Sequence, residues 1–492
     1  MAGALDLQFA DLKAAQNNKN HFTNAISTKQ LIARRGQTVH MSLHFKKRGY
    51  QPDLDKLVFI AETGPQPSEA SRTMAMFPLS THTGANRWGA TVKENSIRSL
   101  EILLTTPANA IIGYYSLSLQ IFSEEKQATH HLGKLVLLFN PWCQDDTVFM
   151  QNEAKRKEYV LNETGIIFNG HAKFIQARTW IFGQFEQGIL DICLQILDQS
   201  LFYLKDPMQD VSLRNDPTYV GRVVSSMINS NDDNGVVEGN WSGDYKDGRS
   251  PSDWNGSVAI LREWATSRFK PVKYGQCWVF AGVMCTVMRC LGIPTRVVTN
   301  FESAHDTHSD LNVDILYDEH GKQLEKETHD SVWNFHVWNE CWMQRFDLPA
   351  GFGGWQVLDA TPQETSNGIF CLGPASVKAI KEGDVNLSFD GRFVFAEVNA
   401  IVISWLLHSK TLKKEKLHGE SHSVGQHIST KAVGVNARDD ITSEYKHEDG
   451  SIKERQILLK ANPQGVSSLS ATLPLNEAPV HLPAISKPPI SQ

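Results

Sequence analysis

The segment that most narrows the possible folds is an apolar run that opens at a cysteine. After Tyr274, Gly275 and Gln276, the residues Val279, Phe280, Val283, Met284, Val287 and Leu291 recur at i, i+3 and i+4 spacing, and Gly292 with Pro294 supplies a stop. The pattern predicts a helix with Cys277 in its first turn. There, unpaired backbone N–H groups and the positive end of the helix dipole favour a thiolate, the form that attacks carbon. A cysteine is ordinarily a small buried hydrophobe, and the other six of this chain read that way. Cys277 differs because it follows Gly-Gln at a sharp loop-to-helix junction and precedes an aromatic ring.

Two further stretches bear on its chemistry. SVWNFHVWNECW (331–342) is dense in aromatic and β-branched residues and reads as a strand carrying His336; GWQVLDATP (354–362) reads as a second strand that ends in Asp359 before a proline turn. Taken alone, His336 reads equally well as a packed strand histidine. Antiparallel pairing of the two strands beside the helix brings Cys, His and Asp together. His336 would then take the proton of Cys277 and deliver it to a leaving amine, while Asp359 fixes the imidazole tautomer.

The motifs YGQCWVFA, WNFHVWNE and GWQVLDATPQE, with MINSNDDNGVVEGNW upstream, closely resemble the animal calcium-dependent protein-glutamine transglutaminases, particularly the epidermal and keratinocyte branch. The resemblance runs from about residue 11 to about residue 461. It implies an N-terminal immunoglobulin-like β-sandwich, then an α+β papain-like core. It also implies acyl transfer from protein glutamine to lysine or polyamine amines through a Cys277 thioester, with deamidation as a side reaction.

The rest of the chain bounds this reading. At 492 residues with 41% hydrophobic content, two folded units are expected. A net charge of −6 shows no basic excess, so neither nucleic acid nor an anionic membrane is implied as a partner. Seven cysteines at irregular spacing, with no CxxC pair, suit a reducing compartment. The polar N-terminus lacks the apolar core of a signal peptide and no span of eighteen apolar residues occurs, so a cytoplasmic protein is expected.

Short alternating runs at 31–36, 39–45, 57–62, 99–104, 114–122 and 132–139 predict the sandwich over residues 1–140. Asn140-Pro-Trp-Cys-Gln-Asp-Asp146 punctuates the boundary. Helical patterns over 188–201 and 219–227 open a catalytic core over 141–462, where helices come early and strands late. The lysine-bearing segment 409–423 reads as an exposed loop. A Pro-rich tail over 463–492 has no periodic core pattern and is expected to be disordered. Relatives continue into two C-terminal β-barrels that cover the active cysteine. This sequence holds neither, so Cys277 is expected to be open to bulky thiol reagents.

The resemblance also assigns roles that spacing does not. Trp241, which reads as a core aromatic on its own, matches the tryptophan whose indole N–H stabilises the oxyanion beside the Cys277 backbone N–H. Trp278 and Trp333 would line the substrate entry and keep water from the thioester. Three oxygen-rich sets are expected to bind Ca2+. They are Asn229, Asn231 and Asp233; Asp306, Asp310, Asn312 and Asp330, where His308 replaces a family Asp; and Asn399, Asp449 and Glu454, where Asp449 replaces a Glu and Ile401 stands where relatives often carry Asp. Two alternatives stay open. A cysteine protease shares the Cys-His-acid logic, and a non-catalytic scaffold or low-activity truncated variant would keep the fold alone.

Overall fold

The computed structural model describes residues 3–82, 84, 86–124 and 126–470, grouped into two compact units. The first unit takes in the described residues of 3–163, 183–227 and 286–294. Its strands follow one hydrogen-bonded order: Leu7–Asp11, Val39–Phe45, Ser99–Thr105, Gly89–Asn95, Met74–Ser80, Asp55–Thr63, Gly113–Ser123, Lys126–Leu138 and Leu31–Arg34. Met74–Ser80 joins the two halves. It pairs antiparallel with Asp55–Thr63 and meets Gly89–Asn95 only at Leu79↔Ala90 and Ser80↔Thr91.

Side chains alternate along these strands, and Met41, Leu43, Ile102 and Leu104 share one core with Phe59, Leu117, Leu119 and Leu135. This is the sandwich that the alternating runs predict. The unit does not stop at Asn140, however. Val211, from the helix Pro207–Leu213, is buried in the same core, and the Ile112 N–H donates to the Arg214 carbonyl at 3.4 Å.

The punctuating stretch 140–146 is itself a buried knot rather than a linker. Arg35, fully buried, donates to both carboxylate oxygens of Asp146 at 2.7 and 2.8 Å and to the carbonyls of Ala110 and Asn215 at 2.7 and 2.8 Å. The same carboxylate accepts from the Asn140 and Val148 N–H groups, at 2.9 and 3.1 Å. A buried charge survives only when its donors and acceptors are matched in this way.

Of the described residues, the second unit takes in 164–182, 228–285 and 295–470. Its main sheet runs in the order Leu372–Ser376, Gly354–Asp359, Ser331–Met343, Thr295–His305, Gln426–Lys431 and Arg438–Asp440, every neighbouring pair antiparallel. The antiparallel pairing predicted for 331–342 and 354–362 is present between Ser331–Met343 and Gly354–Asp359, with Asn339 opposite Leu358. The predicted helix forms over Cys277–Leu291. The Asn339 side chain, from the sheet, donates to the Ala281 carbonyl at 2.9 Å. A glycine in mid-helix costs about 0.5–1 kcal/mol, but a Cβ at Gly282 would lie 2.5 Å from the Trp180 indole. That indole donates to Ser257, whose hydroxyl donates back to the Gly282 carbonyl at 3.0 Å.

Two expectations fail here. The segment read as a loop over 409–423 contains the strand Lys414–Glu420, paired with Ile401–Leu407; its charged side chains are those of an exposed sheet edge. The tail read as disordered from 463 begins with a helix, Pro463–Ser470. Asn462 accepts from the Gly465 N–H at 2.8 Å and Val466 is buried in the unit's core. Residues 471–492 lie outside the described residues. Among the described residues no helix is long and apolar enough to cross a membrane.

Candidate active site

Cys277 is the first residue of its helix, and the chain before it is pinned. The parallel strands Val237–Gly239 and Val272–Gly275 pair just upstream, the Asn240 N–H donates to the Gly275 carbonyl at 3.1 Å, and the Gln276 amide donates to the Asn240 carbonyl at 2.9 Å. Asn240 precedes Trp241, so the cysteine and the tryptophan segments are held side by side. The Trp241 ring is 42% exposed and stacks on Phe280 at 6.3 Å.

His336 lies in the strand Ser331–Met343 and Asp359 ends the strand Gly354–Asp359; both are buried. His336 Nε2 is 2.6 Å from Asp359 Oδ2, while Asp359 Oδ1 accepts from the Thr361 N–H at 2.8 Å in the turn that Pro362 marks. With Nε2 bound to the carboxylate, Nδ1 is the nitrogen left for the thiol, and it is buried without a hydrogen-bond partner. Burial opposes charge on the ring, but Asp359, with smaller help from Cys277 and Glu397, holds the imidazole well above its usual range. The three expected catalytic residues are therefore brought together.

Two residues that the sequence reading did not single out complete the pocket. Glu397, in the helix Gly391–Asn399, places Oε1 3.7 Å from His336 Nε2. Burial, with Asp359 nearby, pushes its carboxyl up to about 8 against the opposing pull of His336 and Gln363. Gln363 sits between the groups. Its amide nitrogen lies 2.9 Å from His336 Nε2, 3.2 Å from Asp359 Oδ2 and 3.1 Å from Glu397 Oε1, and its carbonyl is 3.0 Å from His305 Nδ1. An amide between two carboxyls donates to them, which leaves the His336 Nε2 proton to Asp359.

Trp333 meets His336 edge to face at 5.3 Å and stacks on His305 at 5.9 Å, so it covers one side of the imidazole. Trp278 is 5% exposed, its ring 6.2 Å from Phe335 and its indole N–H buried without a partner. Cys277 is also only 5% exposed. The open cysteine expected above is not what this structure holds: Cys277 is buried, as are its chain neighbours Tyr274, Gln276 and Trp278.

The sequence matches the family profile described as the transglutaminase family over residues 8–122 and the transglutaminase-like superfamily core over residues 242–360. It also matches the crystal structure of red sea bream transglutaminase with TM-score 0.84 and 43% identity, over 93% of this chain and 68% of that one. The chain belongs to the transglutaminase family. Protein-glutamine gamma-glutamyltransferase 5 of Mus musculus is 53% identical over 93% of this chain and 63% of its own length. Protein-glutamine gamma-glutamyltransferase E of Homo sapiens is 53% identical over 93% of this chain and 66% of its own. The chain thus spans 63–66% of the length of these curated transglutaminases.

The three expected cation sets differ in fit. In the first, Asp233 Oδ1 is buried without a partner, and burial, with Asp232 adjacent, pushes its carboxyl up to about 7. Its loop is tied down where Asn229 donates to the Phe370 carbonyl at 2.8 Å and Asp232 accepts from the Phe370 N–H at 2.5 Å. An orphaned acceptor in a fixed loop fits a hard cation. In the second, Asp306, Asp310 and Asp330 do converge, but Asp306 accepts from the His308 and Leu311 N–H groups at 3.0 and 2.6 Å. Asp330 is likewise taken, by the Thr307 and Asp314 N–H groups at 3.0 Å each, and Asn312 accepts from the Asn462 amide. That set is largely satisfied by protein donors and fits a cation less well. In the third, Asn399 Oδ1 and Glu454 Oε1 are buried and unpartnered.

Proposed function

We propose that this chain carries out acyl transfer from protein glutamine to the amine of a lysine or polyamine, through a thioester on Cys277. The observation that carries this reading is the buried His336–Asp359 pair, with Nδ1 free, beside a thiol that opens a helix. His336 Nδ1 takes the thiol proton; the thiolate attacks the glutamine amide carbon, and the helix start favours its charge. The oxyanion that forms is matched to the Trp241 indole N–H and the Cys277 backbone N–H. His336 then gives its proton to the amide nitrogen, which leaves as ammonia with collapse to the thioester. An incoming amine loses a proton to His336 as it attacks the thioester carbon, and the thiolate departs. Water in place of the amine yields glutamate. Trp278 and Trp333 would line the approach and limit that side reaction.

The reading includes calcium dependence. Asn229, Asn231 and Asp233 would hold Ca2+ best, with Asp306, Asp310, Asn312 and Asp330 as a weaker set. The ion would supply charge for the buried carboxylates and order for the loops, and no chemical step runs through it. The chain is read as an N-terminal sandwich, built from residues 1–140 and joined by Val211, followed by a catalytic core that begins after residue 140 and runs past 462 into the helix Pro463–Ser470. Substrates would be glutamine-bearing and lysine-bearing proteins in a reducing cytoplasm, in keeping with the seven unpaired cysteines.

The test is calcium-dependent incorporation of a labelled amine into a casein-like protein by the wild-type chain and by Cys277→Ala. Incorporation with ammonia release and no chain cleavage, absent in the variant, supports the reading. Cleavage of the substrate would make it a protease, and no reaction by the folded wild type would leave a scaffold.

A further inference from the structure

Three side chains of the catalytic pocket point at one place. One donor atom each from His336, Asp359 and Glu397 lies within 4.8 Å of the other two, a spacing that a single ion could bridge, and all three residues are buried. An imidazole nitrogen with two carboxylate oxygens is a set that zinc and similar first-row ions accept. Glu397 Oε2, buried without a partner, adds a spare acceptor. The place is filled from within, however. Gln363 Nε2 stands 2.9 Å from His336 Nε2, 3.2 Å from Asp359 Oδ2 and 3.1 Å from Glu397 Oε1, so it touches the same three groups that an ion would touch. An amide nitrogen brings two protons and no net charge, which serves both carboxyls without binding the ring.

The amide is held there from behind. Gln363 Oε1 is 3.0 Å from His305 Nδ1, and Glu364 Oε1 holds the other ring nitrogen of His305 at 3.1 Å. The His305 ring is itself packed against Trp333, stacked at 5.9 Å, and Phe393, edge-on at 5.7 Å. What a captured ion would do shows why the plug matters. Metal bonds of about 2.0–2.2 Å would open His336 Nε2 to Asp359 Oδ2 from 2.6 Å to roughly 3.3 Å and close His336 Nε2 to Glu397 Oε1 from 3.7 Å. The ion would displace the proton on Nε2 and the proton that burial keeps on Glu397. With Nε2 on a metal, the neutral ring carries its remaining proton on Nδ1. The nitrogen that should take the Cys277 proton would then no longer be a base.

We infer that Gln363 is a positioning residue that occupies the place where His336, Asp359 and Glu397 would otherwise gather a divalent cation, and so keeps the imidazole free for proton transfer. The inference rests on His336 as the base of the proposed reaction, but its first readout needs no turnover. CoCl2 is added to the metal-stripped full chain, and the visible d–d band of each variant is compared with that of the same variant carrying His336→Ala. Any other metal-binding group is common to both and cancels. Gln363→Ala empties the place, while Gln363→Glu keeps the shape and turns the plug into a ligand. Both should show a band that His336→Ala removes, and wild type should show none; melting curves of the metal-free chains check folding. In amine incorporation, ZnCl2 should inhibit Gln363→Ala at concentrations about tenfold or more below those that inhibit wild type. No incorporation by wild type would count against the proposed reaction alone, since the band difference still decides this inference. A His336-dependent band in wild type, or none in the folded variants, overturns it.

Discussion

Glu397 is the group in the pocket whose charge state can be measured through stability. Its folded carboxyl is raised to about 8 from the ordinary 4.5, chiefly by burial. The folded state thus holds a proton that the unfolded chain releases. Stability from this group is fully present below about 4.5 and is lost as pH rises toward about 8. His336 is raised as well, but well below its ordinary 6.5 it is protonated in both states, and the slope it adds near 6.5 cancels between wild type and a Glu397 variant. The window from about pH 5 to about pH 6.5 therefore isolates Glu397 from His336. Across it the wild type should lose the linkage of nearly one proton over about 1.4 pH units, or about 2 kcal/mol at 1.36 kcal/mol per pH unit. Glu397→Gln keeps the shape of the neutral acid and cannot ionise, so its stability should lack that fall. Urea denaturation of both chains at the two pH values gives the double difference. A double difference near zero would mean that Glu397 is ionised at neutral pH, and the picture of a neutral acid beside the His336–Asp359 pair would fail.

Three further outcomes follow from the structure. Trp241→Ala should lower kcat by on the order of 10²–10³ while changing KM little, because the oxyanion exists only after attack; a change confined to KM in steady-state amine incorporation would make Trp241 a binding residue instead. Arg35→Ala leaves the Asp146 carboxylate buried without its cation and should cost about 3–5 kcal/mol by urea denaturation; a loss under about 1 kcal/mol would show that the knot at 140–146 is not cooperative with the sandwich. Ca2+ at about 100 times its Kd should stabilise the chain by about 2.7 kcal/mol, and Asp233→Asn should raise the Ca2+ concentration that gives half of this gain; an unchanged midpoint in melting curves would move the best site elsewhere.

The parts of the site that could be read in the sequence are those written in local pattern. Cys277 stands at a helix start, and His336 and Asp359 stand on strands whose pairing follows from their own periodicity, so their convergence is a topological consequence. Glu397 carries no such mark. In GRFVFAEVN it occupies an ordinary helical position, and only the packing of that helix against Thr295–His305, where the Asn300 amide donates to the Glu397 carbonyl at 2.9 Å, brings it to His336. Gln363 follows Pro362 in a turn and reads as solvent-facing until the fold encloses it. The tail helix did have a signal, Asn462 before Pro463 as cap and first residue, but Gly465 and the serines after it outweighed that pair in a reading based on composition. The strand Lys414–Glu420 was hidden for the opposite reason. Edge strands are charged to discourage pairing with other chains, so they resemble loops. The depth of Cys277 is a property of its surroundings, and the Pro-rich tail said nothing about it.

The central claim is that Cys277 becomes the acyl carrier, with His336 Nδ1 as its base. It is tested most directly by intact-mass analysis of the chain in Ca2+ with a glutamine peptide and no amine. The account predicts an adduct equal to the peptide mass less ammonia, localised to Cys277 by digestion, discharged by added polyamine, and lost in both Cys277→Ala and His336→Ala. An adduct on another residue, or its undiminished formation in His336→Ala, would contradict it.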